Sequence, residues 1–225
     1  IYLGIPFFFD YKNNQLDLER KIFENFDLNL SLTSKAKYNI FPSPRLNLKN
    51  VEILSFSESS KNIGSVKKVI LKIPFKRLVS LKKLDFDSIE LIGAVINIKT
   101  SEINNFKNYL NNKVREKPIQ LTKSKINLLD KTKLLFNIDI KKLRISGKSL
   151  FNKLDLKGRI FDTKIEINYQ KKDFNKNSEK NVEIWLPEIG LNSKLSINPD
   201  KKNNETIYGK VSVFFPNNQI YLNYI

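Results

Sequence analysis

The side chains of this sequence that could support catalysis are Ser–Lys pairs and one close pair of aspartates. Cys and His are both absent, which excludes thiol nucleophiles, Ser-His-Asp triads, imidazole acid–base catalysis and zinc sites built from Cys and His. The Ser-x-x-Lys spacing of some serine hydrolases occurs at 65–68 and at 80–83. Six of the 40 basic residues are Arg and the other 34 are Lys, so such matches are expected by chance.

The aspartates Asp85 and Asp87 stand two residues apart and would point to one side of a strand. A solvated strand face explains them, and the alternative of paired glycosidase carboxylates stays open at this point. The sequence contains neither a phosphate-binding P-loop nor the glycine pattern of a dinucleotide site. It therefore predicts a protein that is not an enzyme, with no catalytic residue, no metal site and no cofactor.

The formal net charge of +17 invites a nucleic-acid interpretation, which the kind of basic residue does not favour. Base readout relies on Arg, whose planar guanidinium bonds guanine in a bidentate manner, and Lys dominates here. The lysines are also spread along the chain, mostly at alternate positions of strand-like segments. We expect a generic basic surface that does not read nucleic acid and that is attracted to anionic lipid headgroups.

Three segments have the apolar spacing of helices. The first covers about residues 15–26, where Leu18, Ile22 and Phe26 are four apart and Phe23 widens the stripe. A short helix is predicted over 75–82 and a longer one over 102–115. We expect the first of them to pack against a core.

Elsewhere the apolar period is two, which is typical of strands in an antiparallel sheet with one apolar and one wet face. We count about fifteen such strands, with a phase slip at Asn50. The fold class is mainly β with a few helices. A long curved antiparallel sheet with an apolar groove, a β-sandwich and a closed barrel all satisfy this pattern. Trp185, in the strand-like segment 182–186, is out of phase with its apolar neighbours; we interpret it as core filling at a sheet end, and the alternative is contact with a lipid headgroup or partner.

Three stretches carry a resemblance to a known family. YNIFPSPRLNLKNVEI, at 38–53, has a strand leading into Phe-Pro-x-Pro and then a Leu-x-Leu-x-x-Val-x-Ile strand. FKRLVSLKKLDFDSIELIGAVINIK, at 75–99, has a short helix followed by a strand pair. The third is the apolar start, which leads through Phe9 and Asp10 to the helix near Leu18. Together they resemble the N-terminal region of the AsmA family, envelope proteins related to TamB and to other repeating-β-groove lipid-transfer proteins.

The resemblance implies an apolar half-pipe, anchored in the inner membrane and projecting into the periplasm, that holds or moves phospholipid in outer-membrane biogenesis. Its expected partners are phospholipid, the membrane and envelope-assembly proteins. Residues 1–10 are then the end of a truncated membrane anchor, 11–116 the AsmA-like region and 117–225 a continuing groove that is truncated at its end. The alternatives are a non-catalytic scaffold with a sealed sandwich and a basic nucleic-acid-binding module.

If the sheet is a half-pipe, one set of apolar residues in phase on neighbouring strands should share its concave face and bind acyl chains. The predicted lipid-binding residues are Leu134, Phe136, Ile138, Ile140, Leu154, Leu156, Ile165, Ile167, Tyr169, Val211, Val213 and Phe215.

Overall fold

The described part of the chain consists of one helix and one large sheet. The structure is a computed structural model, and it describes residues 15–55, 61–74, 85–105, 117–148, 151–174, 177–199, 205–215 and 218–224. The helix α1 (Gln15–Phe26) comes first. The strands are β1 (Leu30–Leu32), β2 (Lys37–Asn39), β3 (Arg45–Leu54), β4 (Asn62–Lys72), β5 (Ser88–Lys99), β6 (Ile119–Asp130), β7 (Lys133–Lys148), β8 (Phe151–Ile160), β9 (Thr163–Phe174), β10 (Asn177–Leu186), β11 (Leu191–Pro199), β12 (Glu205–Phe215) and β13 (Asn218–Tyr224).

All thirteen described strands belong to a single sheet that is not closed. From β3 to β13 each strand pairs with the next one in the chain, while the short strands β1 and β2 share the other edge of β3. The prediction of a mainly β fold with a long curved sheet is therefore confirmed. The sandwich alternative is wrong for these strands, because it requires two sheets.

One strand pair differs from the antiparallel expectation. β5 and β6 are parallel, with Ile89 opposite Ile119 and Ile98 opposite Leu128. Parallel neighbours need a connection that returns across the sheet, and residues 100–118 supply it. The connection starts with a 3-10 turn at Thr100–Glu102 and three helical residues at 103–105. The remainder of the predicted helix 102–115 lies outside the described residues, as do the helix predicted over 75–82 and the anchor predicted over 1–10.

The helix α1 has the predicted bounds and covers part of the apolar side of the sheet. Leu18, Ile22 and Phe26 are buried in the same core cluster as the strand residues, and the Phe26 ring stacks on that of Phe86, with centroids 6.4 Å apart. The expectation that Phe23 widens the buried stripe is wrong: Phe23 is 46% exposed. Four-residue spacing keeps the three buried side chains in line, and a neighbour one position on turns away from that line.

The strand pairing brings apolar residues into rows that cross the sheet. One row runs from β3 to β12 as Leu48, Val69, Leu91, Leu121, Leu143, Leu156, Ile167, Ile184, Ser193 and Val211, each directly opposite the next. A second row runs parallel to it as Leu46, Leu71, Ile89, Ile119, Ile145, Leu154, Tyr169, Val182, Leu195 and Gly209. We call the side of the sheet that carries these two rows the apolar face.

The burial of the apolar face decreases along the sheet. In the first row Leu48 is 0% exposed and Leu156 is 8% exposed, and Ile167 and Ile184 beyond it are only half-buried. The second row behaves in the same way, with its last fully buried member at Ile119. The apolar side is therefore covered at the β3–β6 end, where the residues of α1 belong to the same core cluster, and is more open toward β12.

Five neighbouring strands interrupt the alternation at the same level of the sheet. In each of β3 to β7 two successive residues point to the polar side. The next residue on the apolar side is then three positions further along the chain instead of two, as in Leu48 and Val51, and in β6 this residue is Ser124. The residues at the interruption are Asn50, Lys67, Gly93, Lys123 and Lys141, which the flanking pairs place side by side. We call this row the phase-change line. It ends where Lys141 forms a bulge against β8, after which the alternation is regular.

Candidate functional site

The residues with catalytic potential do not form a site in the described part of the chain. Asp85 makes an ion pair with Lys117, and Asp87 is exposed. Ser65 and Lys68 both lie on the polar side of β4, while positions 80 and 83 fall outside the described residues. Among those described, no three acidic side chains lie close enough together to hold a metal ion.

The most open part of the apolar face belongs to β9–β12. Val182 stands opposite both Tyr169 and Leu195, and Val211 follows Ser193 across the next strand pair. These apolar side chains are half-buried. After Leu156, no described hydrophobic side chain is fully buried, so this part of the face offers contact area to a ligand.

The twelve predicted lipid-binding residues fall along this gradient of burial. The fully buried ones are Ile140 and Leu156. Those that are half-buried and pack against the core are Ile138, Leu154, Ile165 and Ile167. Those that are half-buried without belonging to that cluster are Phe136, Tyr169, Val211 and Val213. Leu134, next to the β6–β7 turn, is 48% exposed. Phe215 ends β12 opposite Asn218, and its side chain is not described.

Three residues that complete the open area were missing from the predicted set: Val182, Ile184 and Leu195. Val182 and Leu195 alternate with polar neighbours as strongly as the predicted residues do, and Ile184 keeps the same period of two although Trp185 follows it, so the signal is present in the sequence. What the sequence lacked was the pairing register, which aligns Ile184 with Ile167 and Val182 with Tyr169.

Trp185 lies on the polar side, between Glu166 and Asn192 on the adjacent strands. It is 44% exposed, so the interpretation of core filling is wrong. Its phase, opposite to that of Ile184, already placed it away from the apolar face. Contact with a headgroup or partner stays a prediction for this residue.

The Phe-Pro-x-Pro segment lies between β2 and β3, as expected for prolines that lead into a strand. Pro44 is fully buried immediately before β3, and its carbonyl oxygen accepts a hydrogen bond from the Ile73 N–H over 2.9 Å. This contact joins the start of β3 to the end of β4.

Comparison with known proteins adds no family to this geometry. The sequence matches no protein-family model and no curated protein. The resemblance to the AsmA family therefore stays an expectation based on the motifs at 38–53 and 75–99. None of the helices described is both long and apolar enough to cross a membrane.

Proposed function

We propose that this protein binds the acyl chains of phospholipid on the open part of its apolar face, in β9–β12. The observation that carries the proposal is one side of an unclosed sheet whose rows are apolar except at Ser193 and Gly209, buried at one end and mostly half-buried at the other. A half-exposed apolar surface of this extent is typical of a ligand or partner site.

The size of the hydrophobic effect explains why such a surface is useful without chemistry. Moving a two-chain lipid through water exposes on the order of 30 methylenes at ~0.8 kcal/mol each, or roughly 24 kcal/mol. An apolar track removes most of that barrier. Twelve strands in series, ~4.8 Å apart, give a sheet roughly 53 Å long, which is shorter than fifteen strands would make it.

The cellular setting of the proposal comes from the resemblance to the AsmA family. It supports a protein anchored in the inner membrane that handles phospholipid on the periplasmic side, together with envelope-assembly proteins. The absence of His and Cys is consistent with a role in which no bond is made or broken.

Photo-crosslinking tests the acyl-chain site directly. A photoreactive amino acid placed at Val182, Leu195 or Val211 should capture phospholipid, because these side chains are half-buried on the apolar face. The same probe at Glu183 or Lys194, which are opposite each other on the polar side, is the matched control. Mass spectrometry of the adducts identifies the lipid. Equal capture on both sides of the sheet, or none on the apolar side, would contradict the proposal and favour a scaffold role.

A charged substitution separates an open site from a sealed core. Val211→Glu should leave the protein folded and abolish lipid capture at Leu195, because the new carboxylate reaches water but blocks the track. Leu91→Glu, at a position 2% exposed, should unfold the protein because an unpaired buried charge costs several kcal/mol. Ile138 is a less informative position for this test, since it packs against the core. Unfolding of Val211→Glu to the same extent would show that β9–β12 also form a sealed core.

A further inference from the structure

A cleft on the polar side of the sheet lies over the phase-change line. Its volume is about 690 Å³, within the range of ~300–1,000 Å³ typical of small-molecule sites. The cleft forms here because each strand presents two successive residues to the polar side, which spreads the side chains on either side of the line. Gly93 lies in the middle of the line and contributes no side chain of its own to the cleft.

The lining of the cleft is strongly basic. Seven basic and two acidic residues line it, an excess of five positive charges. Four of the basic residues have local partners. Lys125 pairs with Asp139 over 3.1 Å, and Lys157 pairs with Glu166 over 2.9 Å. These pairs border the cleft without compensating the lysines at its centre.

The other two partnered cations lie beside the turn between β8 and β9. Arg159 donates a hydrogen bond from Nε to the Asp162 carbonyl over 3.0 Å. Lys164 pairs with Glu188 over 3.5 Å. The hydrogen bond that Glu188 accepts from the Lys164 N–H, and then the Lys164 ammonium, hold the pKa of Glu188 below its ordinary value. Glu188 is therefore ionised and compensates Lys164.

Three lysines on the phase-change line have no such compensation. Lys67, Lys123 and Lys141 are exposed, and among the described residues none of the three makes a side-chain hydrogen bond or an ion pair. The Lys67 stem lies over Gly93, with atoms 3.0 to 3.3 Å from where a Cβ on that glycine would be. The glycine thus lets Lys67 lie across β5 toward the side on which Lys123 and Lys141 stand.

We infer that this cleft, which we call the basic cleft, is a binding site for a ligand that carries several phosphate groups. Three ammonium groups without counter-charges around a concave surface match the charge and hydrogen-bonding capacity of such a ligand. Lys suits this role because it binds phosphate as a point charge. The compact volume fits a headgroup or a small phosphate ester better than a nucleic-acid strand, which needs a basic groove that follows its backbone. The three lysines are on the opposite side of the sheet from the apolar face, although Ile140 and Ile165, which belong to that face, also contribute to the cleft lining.

Calorimetric titration with tripolyphosphate tests the site. The variant Lys67→Gln/Lys123→Gln/Lys141→Gln should bind at least about tenfold more weakly than the unaltered protein, because three charge-assisted contacts are lost. The matched control is Lys37→Gln/Lys99→Gln/Lys133→Gln, which removes the same charge from exposed positions away from the cleft. The control should keep its affinity. Equal weakening in both variants, or no binding by the unaltered protein, would overturn the inference, and thermal melting verifies that both variants fold.

Vesicles identify the source of the phosphate. Co-sedimentation with phosphatidylcholine vesicles that contain cardiolipin, whose headgroup carries two phosphates, lost in the cleft variant and kept in the control, would assign the cleft to lipid headgroups. Tripolyphosphate binding without vesicle binding would assign it to a soluble phosphate ester. Stronger binding to a single-stranded oligonucleotide than to tripolyphosphate, with equal loss in both variants, would overturn the inference. Acyl-chain capture at Leu195 should be unchanged in the cleft variant, so failure here is distinguishable from failure of the proposed lipid site.

Discussion

At the scale of single residues, close approach between strands restricts side-chain size as strongly as burial does. Gly64 in β4 lies opposite Ile96, and a Cβ added to it would stand 2.2 Å from the Val95 carbonyl oxygen and 3.0 Å from the Ile96 Cα. Both contacts are with backbone, which cannot rotate away as a flexible side chain could. The position therefore requires glycine because of space and not because of backbone conformation.

We expect Gly64→Ala to destabilise the protein. Overpacking of this kind costs about 1–3 kcal/mol, because β4 and β5 must move apart to admit the methyl group. Ser65→Ala, one residue further on and exposed, is the control and should change the free energy of unfolding by less than about 0.5 kcal/mol. Urea denaturation measures both. Equal midpoints for the two variants would show that the strands separate at no cost.

Residue types predicted the side of the sheet better than they predicted its irregularities. The alternation of apolar and polar residues assigned Ile140 and Leu156 to one side, and both are there. From the sequence, a phase slip is placed only at Asn50, although the three-residue apolar spacing that reveals it recurs in β4, β5 and β7, and β6 has Ser124 at the equivalent position. A single strand with such a spacing also fits a turn or an isolated bulge. Only the pairing register shows that Asn50, Lys67 and Gly93 stand side by side, and so the basic cleft was not predicted.

At the scale of elements, α1 supplies the cover that the strands at the start of the sheet cannot provide for themselves. The Glu19 carboxylate accepts a hydrogen bond from the Leu32 N–H over 2.7 Å, which ties the helix to β1. Asn25 in the last turn of the helix contacts Lys117, just before β6. The helix is thus held at its middle and in its last turn, with its apolar stripe against the core.

Two phenylalanines of α1 give a matched test of this role. Phe26→Ala should destabilise the protein by about 3–5 kcal/mol, the cost of removing a buried aromatic ring from a core. Phe23→Ala removes the same group from a position 46% exposed and should cost less than about 1 kcal/mol, mostly through helix packing at the surface. Thermal melts of both variants measure these two losses of stability. Similar losses would mean that Phe23 is covered in solution.

The helix α1 could be predicted because the apolar spacing that indicates it is local. The parallel pairing of β5 with β6 could not be predicted from local spacing. Leu18, Ile22 and Phe26 lie within nine residues of each other, and a spacing of four has one structural meaning at that length. The direction of β6 relative to β5 depends on the route of residues 100–118. Alternation is the same in parallel and antiparallel strands when one side of the sheet is wet, so nothing in Ile119 or Leu121 indicated the direction.

At the scale of the whole molecule, the sequence predicted the class and the sheet but could not choose between one sheet and two. Strict alternation requires only that an apolar side is covered. Whether a second sheet, a helix or the curvature of the same sheet covers it depends on register across many strands. The observed gradient, from Leu48 at 0% exposed to half-buried residues in β9–β12, is a property of the assembled sheet and not of any single strand.

This gradient predicts an uneven stability along the sheet. Amide hydrogens in β4 and β5 should exchange slowly, because their apolar residues are fully buried and opening them exposes the core. Amide hydrogens in β10–β12 should exchange faster, since the same hydrogen-bonded ladder is supported there by half-buried side chains only. Hydrogen exchange followed by mass spectrometry compares peptides from the two regions in one experiment, and a ligand-free sample establishes the difference.

Adding phospholipid then tests whether the half-buried apolar residues of β9–β12 bind acyl chains. If acyl chains bind to the open part of the apolar face, lipid should slow exchange in β9–β12 and leave β4 and β5 unchanged, because their apolar residues are already covered. Short-chain phospholipid below its micelle concentration avoids a general detergent effect, and Val211→Glu serves as the control that should lose the protection. Uniform exchange along the sheet without lipid would mean that the half-exposed side chains are well packed in solution. Protection of β4 and β10 alike by lipid would indicate non-specific adsorption and would contradict a site confined to the open end.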